Sequence, residues 1–302
     1  MFKSKNSMSR ALVRQETTAG YLFLLPSLFF FVTFVLYPMF LCIYTSFFDS
    51  NMGKNAVDVF VGLGNYKELF QDKLFLGALK NTVLIVVVAV PTVCAFSLWV
   101  ATAIYDMKPA LTSAFRCIFY LPVVTGSVAV TVVWKWMYNN YYGIFNYLGK
   151  AVGLIDKNIN WLGDARFALW CIILILFTTS VGQPIVLYVS ALGNVDHSLV
   201  EAAEVDGANR RQVFWKIKWA QIMPTTLYIL IITTINSFQC FALIQLLTSG
   251  GPTHSTDTIM YYIYYTAFKL YRYGYGNAMG VVLMIIIAVL SAVQFKLGQQ
   301  SD

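Results

Sequence analysis

The segment DHSLVEAAEVDGANRRQVFWKIKWAQIMP, Asp196–Pro224, is the longest stretch of this chain with a dense set of charges, and it lies between two long apolar runs. Only 12% of the 302 residues are charged and 58% are hydrophobic, whereas a soluble domain carries about a quarter charged residues. Several windows of more than about twenty residues contain no charge, which is typical of helices that cross a bilayer. The sequence therefore predicts an all-α, polytopic membrane helix bundle with a polar segment held at one membrane surface.

Six apolar runs are long enough to cross about 30 Å of hydrocarbon at about 1.5 Å per residue. Residues 1–18 are polar and basic, and we predict that they form a cytoplasmic N-terminal segment before a first span at 19–48. Residues 77–296 are predicted to form the core transmembrane domain, which includes the polar segment 196–224. The five later spans are predicted at about 77–105, 114–137, 167–192, 225–248 and 277–296.

The orientation follows from the basic N-terminal segment and the even number of spans. Loops 106–113 and 193–224 are predicted on the cytoplasmic side, and loops 49–76, 138–166 and 249–276 on the outer side. Short inner loops rich in Lys and Arg support this assignment through the positive-inside rule. Charge alone leaves the reverse orientation open.

Several kinds of chemistry have no sequence signature here. The chain has no G-x-x-x-x-G-K-[ST], G-x-S-x-G, H-E-x-x-H or C-x-x-C pattern, and its five cysteines stand singly in apolar runs. With two histidines a metal cluster is not expected, and no basic helix suits a nucleic-acid groove. Paired intramembrane carboxylates, which typify proton- or sodium-coupled carriers, are also missing. No cofactor is predicted on this chain, so energy for uphill transport has to come from a partner.

Four amide side chains within the later spans form a candidate substrate path: Gln183, Asn236, Gln239 and Gln245. An amide in hydrocarbon is costly unless it finds a hydrogen-bond partner or a wet cavity. Asn236 and Gln239 are three residues apart and are expected to share a helix face. Hydrogen bonding between helices and the wall of a solute cavity both explain these amides, and a cavity without fixed charge would suit a neutral polyhydroxylated solute.

Two tyrosine-rich stretches, at 138–147 and 261–276, fall in the predicted outer loops. Tyrosine is enriched at the headgroup level of membranes, which favours an aromatic belt. Stacking on sugar rings or docking of an external partner is the alternative.

The polar segment itself is predicted to hold two short helices. Ser198-Leu-Val-Glu201 has the form of a capping box, with Ser198 as N-cap, and Gly207 fits the left-handed position that ends the helix. Asn209-Arg-Arg-Gln212 predicts the cap of a second helix, which runs towards Trp219 ahead of the fifth span.

Two functions of this helix pair remain open from the residues alone. The small side chains of Ala202 and Ala203 permit close approach by a second protein, and Asp206 and Arg210 are available for polar pairing. Alternatively, the pair could lie on the inner leaflet as amphipathic helices.

The stretch EAAEVDGANRRQVFWKI, Glu201–Ile217, resembles the EAA loop of ABC importer permeases: E-A-A, three residues, G, nine residues, I. The usual Leu-Pro that follows is replaced by Trp219-Ala220. Two further stretches, YLFLLPSLFFFVTFVLYP (Tyr21–Pro38) and TSGGPTHSTDTIMYYIYYTAF (Thr248–Phe268), resemble the larger-type permease subunit of the maltose and multiple-sugar branch.

The resemblance implies a type I ABC importer permease fold and a bacterial cytoplasmic membrane location. It implies that the EAA loop is a coupling helix seated on a dimer of a separate cytoplasmic ATP-binding subunit, which holds ATP-Mg. A second homologous permease, an extracytoplasmic sugar-binding protein and a carbohydrate substrate are the other implied partners. A permease for a non-sugar solute, and less directly a passive channel or membrane enzyme, are the alternatives. The residues assigned to coupling are Glu201, Ala202, Ala203, Asp206, Gly207, Asn209, Arg210 and Ile217.

Overall fold

The computed structural model describes residues 4–50 and 58–299, so residues 1–3 of the predicted N-terminal segment lie outside the described residues. Helices dominate this part of the chain, with one antiparallel pair of two-residue strands, β1 (Phe48–Asp49) and β2 (Val59–Phe60). The helices are α1 (Ser4–Phe31), α2 (Tyr37–Thr45), α3 (Gly64–Leu69), α4 (Lys73–Ile104), α5 (Pro109–Val124), α6 (Ser127–Met137), α7 (Ile144–Ala151), α8 (Ala168–Ser180), α9 (Gly182–Gly193), α10 (His197–Val205), α11 (Arg210–Val213), α12 (Trp219–Phe238), α13 (Ala242–Leu247), α14 (Ile259–Tyr264) and α15 (Tyr273–Gln299).

The prediction of about six membrane spans is confirmed as five or six. In the described ranges, five helical stretches are long and apolar enough to cross a bilayer, and the bent pair α5–α6 makes a sixth if the pair crosses as one span. The five are Leu12–Thr45, Lys73–Ile104, Ala168–Gly193, Arg210–Leu247 and Tyr273–Gly298.

The third span, predicted at 114–137, is divided into two helices. Helices α5 and α6 meet at 95°, and the break falls at Thr125 and Gly126, whose backbones are extended. Pro122 lies in the last turn of α5, where its missing N–H and its ring already weaken the helix. Such a break is tolerated at membrane depth where it lines a cavity or is covered by protein.

The fifth span begins earlier than predicted. Its helix runs without interruption from Arg210 through a π-helical turn at Phe214–Lys218 into α12, so Pro224 lies inside α12 instead of separating a loop from a span. The second helix of the polar segment is therefore the first part of a membrane helix. The helical path then breaks at residues 239–241 before α13.

The core forms where α4, α9 and α12 pack together. Their buried side chains include Ala101, Ile185, Tyr188 and Ile229, each at most 1% exposed. Lipid tails are as apolar as these side chains, so close van der Waals packing is what holds such helices together in a membrane.

The first span stands apart from this core. None of its apolar window is buried inside the chain, and it contacts the remainder mainly where α2 lies against α15. A π-helical turn, Val32–Leu36, interrupts its α-helical pattern just before Pro38.

Part of the second tyrosine-rich stretch is packed inside the protein, so the aromatic-belt interpretation fails there. Tyr261, Tyr262 and Tyr275 are buried. In the first stretch, by contrast, Tyr141 and Tyr147 are exposed, as a belt or an external contact requires.

The segment between α13 and α14 is fastened onto α4 by hydrogen bonds. The Asn81 side-chain amide donates to the backbone carbonyls of Ser255 and Asp257, both at 3.0 Å. The backbone N–H of Ile259 donates to Thr82 Oγ1 at 2.9 Å. This irregular segment is therefore held rigidly against a membrane helix.

Candidate functional site

A cavity of about 360 Å³ lies among α5, α6, α8, α9 and α12, next to the break in the third span. Gln183 on α9 and Asn236 on α12 both line it, so two of the four predicted path residues are brought together. The other polar residues of its wall, which sequence reasoning did not single out, are Thr125, Ser127, Thr179, Ser180, Tyr228 and Thr233. The wall thus offers amides and hydroxyls, and no charged side chain.

The other two predicted path residues do not line this cavity. Gln239 is exposed just beyond the last residue of α12, and Gln245 is half-buried on α13. The expected shared face of Asn236 and Gln239 therefore does not place both amides on the cavity.

A second cavity, of about 580 Å³, opens between α5 and α9. It shares Gln183 and Leu187 with the first cavity. Its wall is mostly apolar and contains one charged side chain, Arg116. Arg116 was not predicted as a site residue because it lies only two residues after the predicted start of the third span at 114.

The first helix of the polar segment, α10, is capped by Asp196. Its Oδ1 accepts hydrogen bonds from the backbone N–H of Ser198 at 2.9 Å and from the Ser198 hydroxyl at 2.7 Å. These hydrogen bonds lower the pKa of the Asp196 carboxyl. The predicted Ser198–Glu201 capping box is therefore wrong, because a stronger acceptor two residues earlier occupies the cap.

The end of α10 agrees with the predicted glycine hinge. Gly207 has φ +81°, its N–H donates to the Glu204 carbonyl at 3.0 Å, and the N–H of Ala208 donates to the Ala203 carbonyl at 2.9 Å. This pair of bonds is the Schellman motif, which needs a left-handed residue at the position of Gly207.

The second predicted cap is confirmed in full. The backbone N–H of Gln212 donates to Asn209 Oδ1 at 2.9 Å, and the backbone N–H of Asn209 donates to Gln212 Oε1 at 2.8 Å. Each residue therefore satisfies an N–H at the start of the helix that continues into α12.

The segment exposes a continuous surface. Glu201, Ala202, Asp206, Gly207, Asn209 and Arg210 are exposed, and Ala203 and Ile217 are half-buried. Two apolar side chains on α10 are also exposed: Leu199, with 49% of its surface accessible, and Val205, with 88%. Large apolar side chains grouped with charges on one surface are typical of a contact with another protein.

Two contacts hold the segment to the membrane helices. Lys218 Nζ donates to the Tyr105 hydroxyl at 3.0 Å and lies 4.6 Å from the centre of that ring. The backbone N–H of Asp196 donates to Gln221 Oε1 at 3.0 Å. These contacts connect the segment to α12 and to the adjoining end of α4.

A polar contact at the far end of α4 joins three elements. The hydroxyls of Tyr262 and Tyr275 donate to Asp72 Oδ2 at 2.7 and 2.9 Å, and Asp72 Oδ1 accepts from the backbone N–H of Leu74 at 2.8 Å. Burial raises the pKa of Asp72, but these hydrogen bonds outweigh burial and the net pKa is lowered. The carboxylate therefore links the start of α4 to α14 and α15.

Helices long enough to span a membrane, a polar cavity among them and an exposed helix pair at one end are features of a membrane permease. Residues 75–299 match the family of binding-protein-dependent transport system inner membrane components, and the chain belongs to that family. It is a transport subunit of an inner membrane and not an enzyme.

Curated relatives are similar over nearly the whole chain. The probable ABC transporter permease protein YesP of Bacillus subtilis is 33% identical, covering 94% of this chain and 91% of that protein. The multiple sugar-binding transport system permease protein MsmF of Streptococcus mutans is 32% identical, covering 94% of this chain and 96% of that protein. The lactose transport system permease protein LacF of Rhizobium radiobacter is also 32% identical, covering 94% of this chain and 95% of that protein.

The fold is also that of a solved transporter. A chain of a bacterial ABC transporter involved in the import of the acidic polysaccharide alginate superposes with a TM-score of 0.79 at 23% identity, covering 97% of this chain and 99% of that one. The same kind of transporter in complex with its alginate pentasaccharide-bound periplasmic protein gives a TM-score of 0.80 at 24% identity (93% of each chain). The predicted permease fold is confirmed.

Proposed function

We propose that this chain is one permease subunit of an ATP-driven importer that passes a carbohydrate across the bacterial cytoplasmic membrane. The observation that carries the proposal is the cavity beside the broken span, whose amides and hydroxyls suit the hydroxyl groups of a sugar. The names of the relatives MsmF and LacF, a multiple-sugar and a lactose permease, support the same solute class.

The energy enters through the segment 196–224. Its exposed residues Glu201, Asp206 and Arg210 and its apolar Leu199 and Val205 form a surface suited to the cleft of a cytoplasmic ATPase dimer, which holds ATP-Mg. Because α11 continues into α12, a displacement of this surface moves the helix that carries Asn236. The N-terminus is cytoplasmic, on the same side as this segment.

Two further partners complete the importer. A second homologous permease closes the cavities on the side where α5 and α9 are exposed. An extracytoplasmic binding protein delivers the sugar on the side of α7. The relevance of such a protein is supported by the family, whose members belong to binding-protein-dependent systems.

The coupling role is tested with Glu201→Ala and Gly207→Pro in cells that make the whole importer. Proline cannot adopt φ +81° and lacks the N–H that bonds to Glu204. We expect sugar uptake and co-purification of the ATPase to be lost while the protein remains in the membrane.

The chain contains a matched control for the glycine. Gly153 has φ +76° and ends α7 with the same pair of bonds, from Gly153 N–H to the Lys150 carbonyl (3.0 Å) and from Leu154 N–H to the Gly149 carbonyl (2.8 Å). Gly153→Pro imposes the same local damage on the opposite side and should leave ATPase association intact. Survival of ATP-dependent uptake in both coupling variants would refute the coupling role, and uptake without ATP would indicate a channel.

A further inference from the structure

Arg116 is the one charged residue among those that line the two cavities, which share Gln183 and Leu187 as wall residues. It lies on α5, on the same cavity wall as Cys117 and Leu121. The first cavity offers only uncharged polar groups, so Arg116 supplies the positive charge of the second cavity.

Among the residues that the structure describes, the Arg116 side chain has no hydrogen-bond or ion-pair partner. Arg116 Nε is buried and has no hydrogen-bond partner, and no carboxylate among residues 4–50 and 58–299 forms an ion pair with Arg116. Its surroundings, which include Leu121, Val124 and Val186, are apolar. Arg116 as a whole is half-buried, and the planar set of donors of its guanidinium matches a carboxylate or a phosphate. A counter-charge for it would come from outside the described residues.

We propose that the solute supplies it: the imported carbohydrate is acidic, a uronate-containing or phosphorylated sugar, and Arg116 binds its anionic group. This inference rests on the proposed function and narrows its solute class. Gln183 lies on the wall between the two cavities, where its amide is placed to hydrogen-bond a hydroxyl of the same sugar. A charge-assisted, bidentate contact of this kind distinguishes acidic from neutral sugars of equal size.

The first experiment measures uptake of matched sugars by cells that make the whole importer. The probes are digalacturonate against neutral galactobiose, and maltose 6′-phosphate against maltose. We expect an acidic sugar to be taken up in preference to its neutral counterpart. Arg116→Gln should raise the KM for that acidic sugar by about tenfold or more, which corresponds to losing a charged hydrogen bond. Arg116→Lys should retain part of the affinity.

A matched control lies on the other half of the broken span. Lys135 on α6 is exposed and lines neither cavity, so Lys135→Gln should leave the KM unchanged. Preferential uptake of a neutral sugar, or an equal effect of Arg116→Gln on both members of a pair, would overturn the inference and leave the proposed function standing. If none of the four probes were taken up, the result would count against both this inference and the proposed function.

A second experiment reads the charge directly at Cys117, which is exposed beside Arg116. In a variant that keeps only this cysteine, anionic and cationic methanethiosulfonate reagents are compared in the assembled importer. We expect the anionic reagent to react faster, and Arg116→Gln to abolish that preference. The inference would be overturned if Cys117 did not react, or if the anionic and cationic reagents reacted with it at equal rates. It would also be overturned if the second permease were lost from the purified Arg116→Gln importer, because Arg116 would then pair with that subunit.

Discussion

At the scale of single residues, Asp72 links three helices through hydrogen bonds made outside the membrane spans. Replacing it with alanine removes the acceptor of two tyrosine hydroxyls and the cap of α4. We expect Asp72→Ala to lower the free energy of unfolding by about 3 kcal/mol, from two hydrogen bonds to a charged group and one cap. Chemical denaturation of the purified protein in detergent measures it.

The pH dependence of the same contact has a definite sign. The pKa of Asp72 is lower in the folded protein, so the carboxylate stabilises the fold fully above its unfolded pKa of about 3.9. That stabilisation is lost as the pH falls through the lower, folded pKa. The difference in stability between the wild type and Asp72→Asn should be constant from about pH 7 to 5 and shrink below about pH 4. A difference that grew on acidification would contradict this assignment.

Gly182 marks a close approach of α9 to α5. A Cβ at this position would collide with the backbone carbonyl oxygen of Phe119. Because backbone cannot move aside as a side chain can, we expect Gly182→Ala to destabilise the protein by about 1–3 kcal/mol. The control is Gly77→Ala on α4, where nothing lies within 4 Å and alanine should stabilise the helix by roughly 0.5–1 kcal/mol. Thermal unfolding of both variants decides whether the crossing is as close as described.

At the scale of elements, local sequence signals predicted local structure where no competing group was near. The Asn209–Gln212 box formed as expected, and Gly207 took its left-handed conformation. Asp196, and not Ser198, is the N-cap of α10. Two capping residues two positions apart compete for the same N–H groups, and the sequence pattern does not indicate which of them caps the helix. Pro122 marks the place where this span weakens, but the 95° bend between α5 and α6 was not predictable, since it depends on which helices cover Thr125 and Gly126.

The two π-helical turns of the long spans occupy equivalent places. Val32–Leu36 ends two residues before Pro38, and Phe214–Lys218 ends two residues before Ala220. In a π-turn the backbone hydrogen bonds span five residues instead of four. The turn is therefore wider, which relieves the clash between a proline ring and the carbonyl of the preceding turn. Ala220 is also the position at which the EAA pattern ordinarily carries proline.

We therefore expect Ala220→Pro to be tolerated, with a melting temperature within a few degrees of the wild type. Proline in the regular part of the same helix, as in Ile231→Pro, should cost about 3 kcal/mol. Thermal unfolding of the purified proteins compares the two. Equal destabilisation by both changes would show that the π-turn does not accommodate the proline.

At the scale of the whole molecule, composition predicted a six-span bundle, but not which side chains meet inside it. Gln183 and Asn236 reach one cavity from α9 and α12, while Gln239 lies past a helix end that no sequence signal marked. Arg116 was missed because a charge near the end of a predicted span is ordinarily a side chain that reaches the headgroups. A cavity is a property of packing between distant segments, so its polar lining emerges only from the fold.

The bent pair α5–α6 also decides the topology of the whole chain. If it crosses the membrane, Met107 and Val152 lie on opposite sides; if it enters and returns, they lie on the same side. Single cysteines at Met107, Val152 and Val205, which are 40%, 72% and 88% exposed, can be labelled with an impermeant maleimide in right-side-out vesicles of a variant without its native cysteines. We expect labelling of Val152→Cys alone, with Met107→Cys and Val205→Cys labelled only after permeabilisation. Labelling of both Met107→Cys and Val152→Cys only after permeabilisation would identify a re-entrant pair. Labelling of Val205→Cys in sealed vesicles would place the EAA-like surface outside, where no cytoplasmic ATPase could reach it.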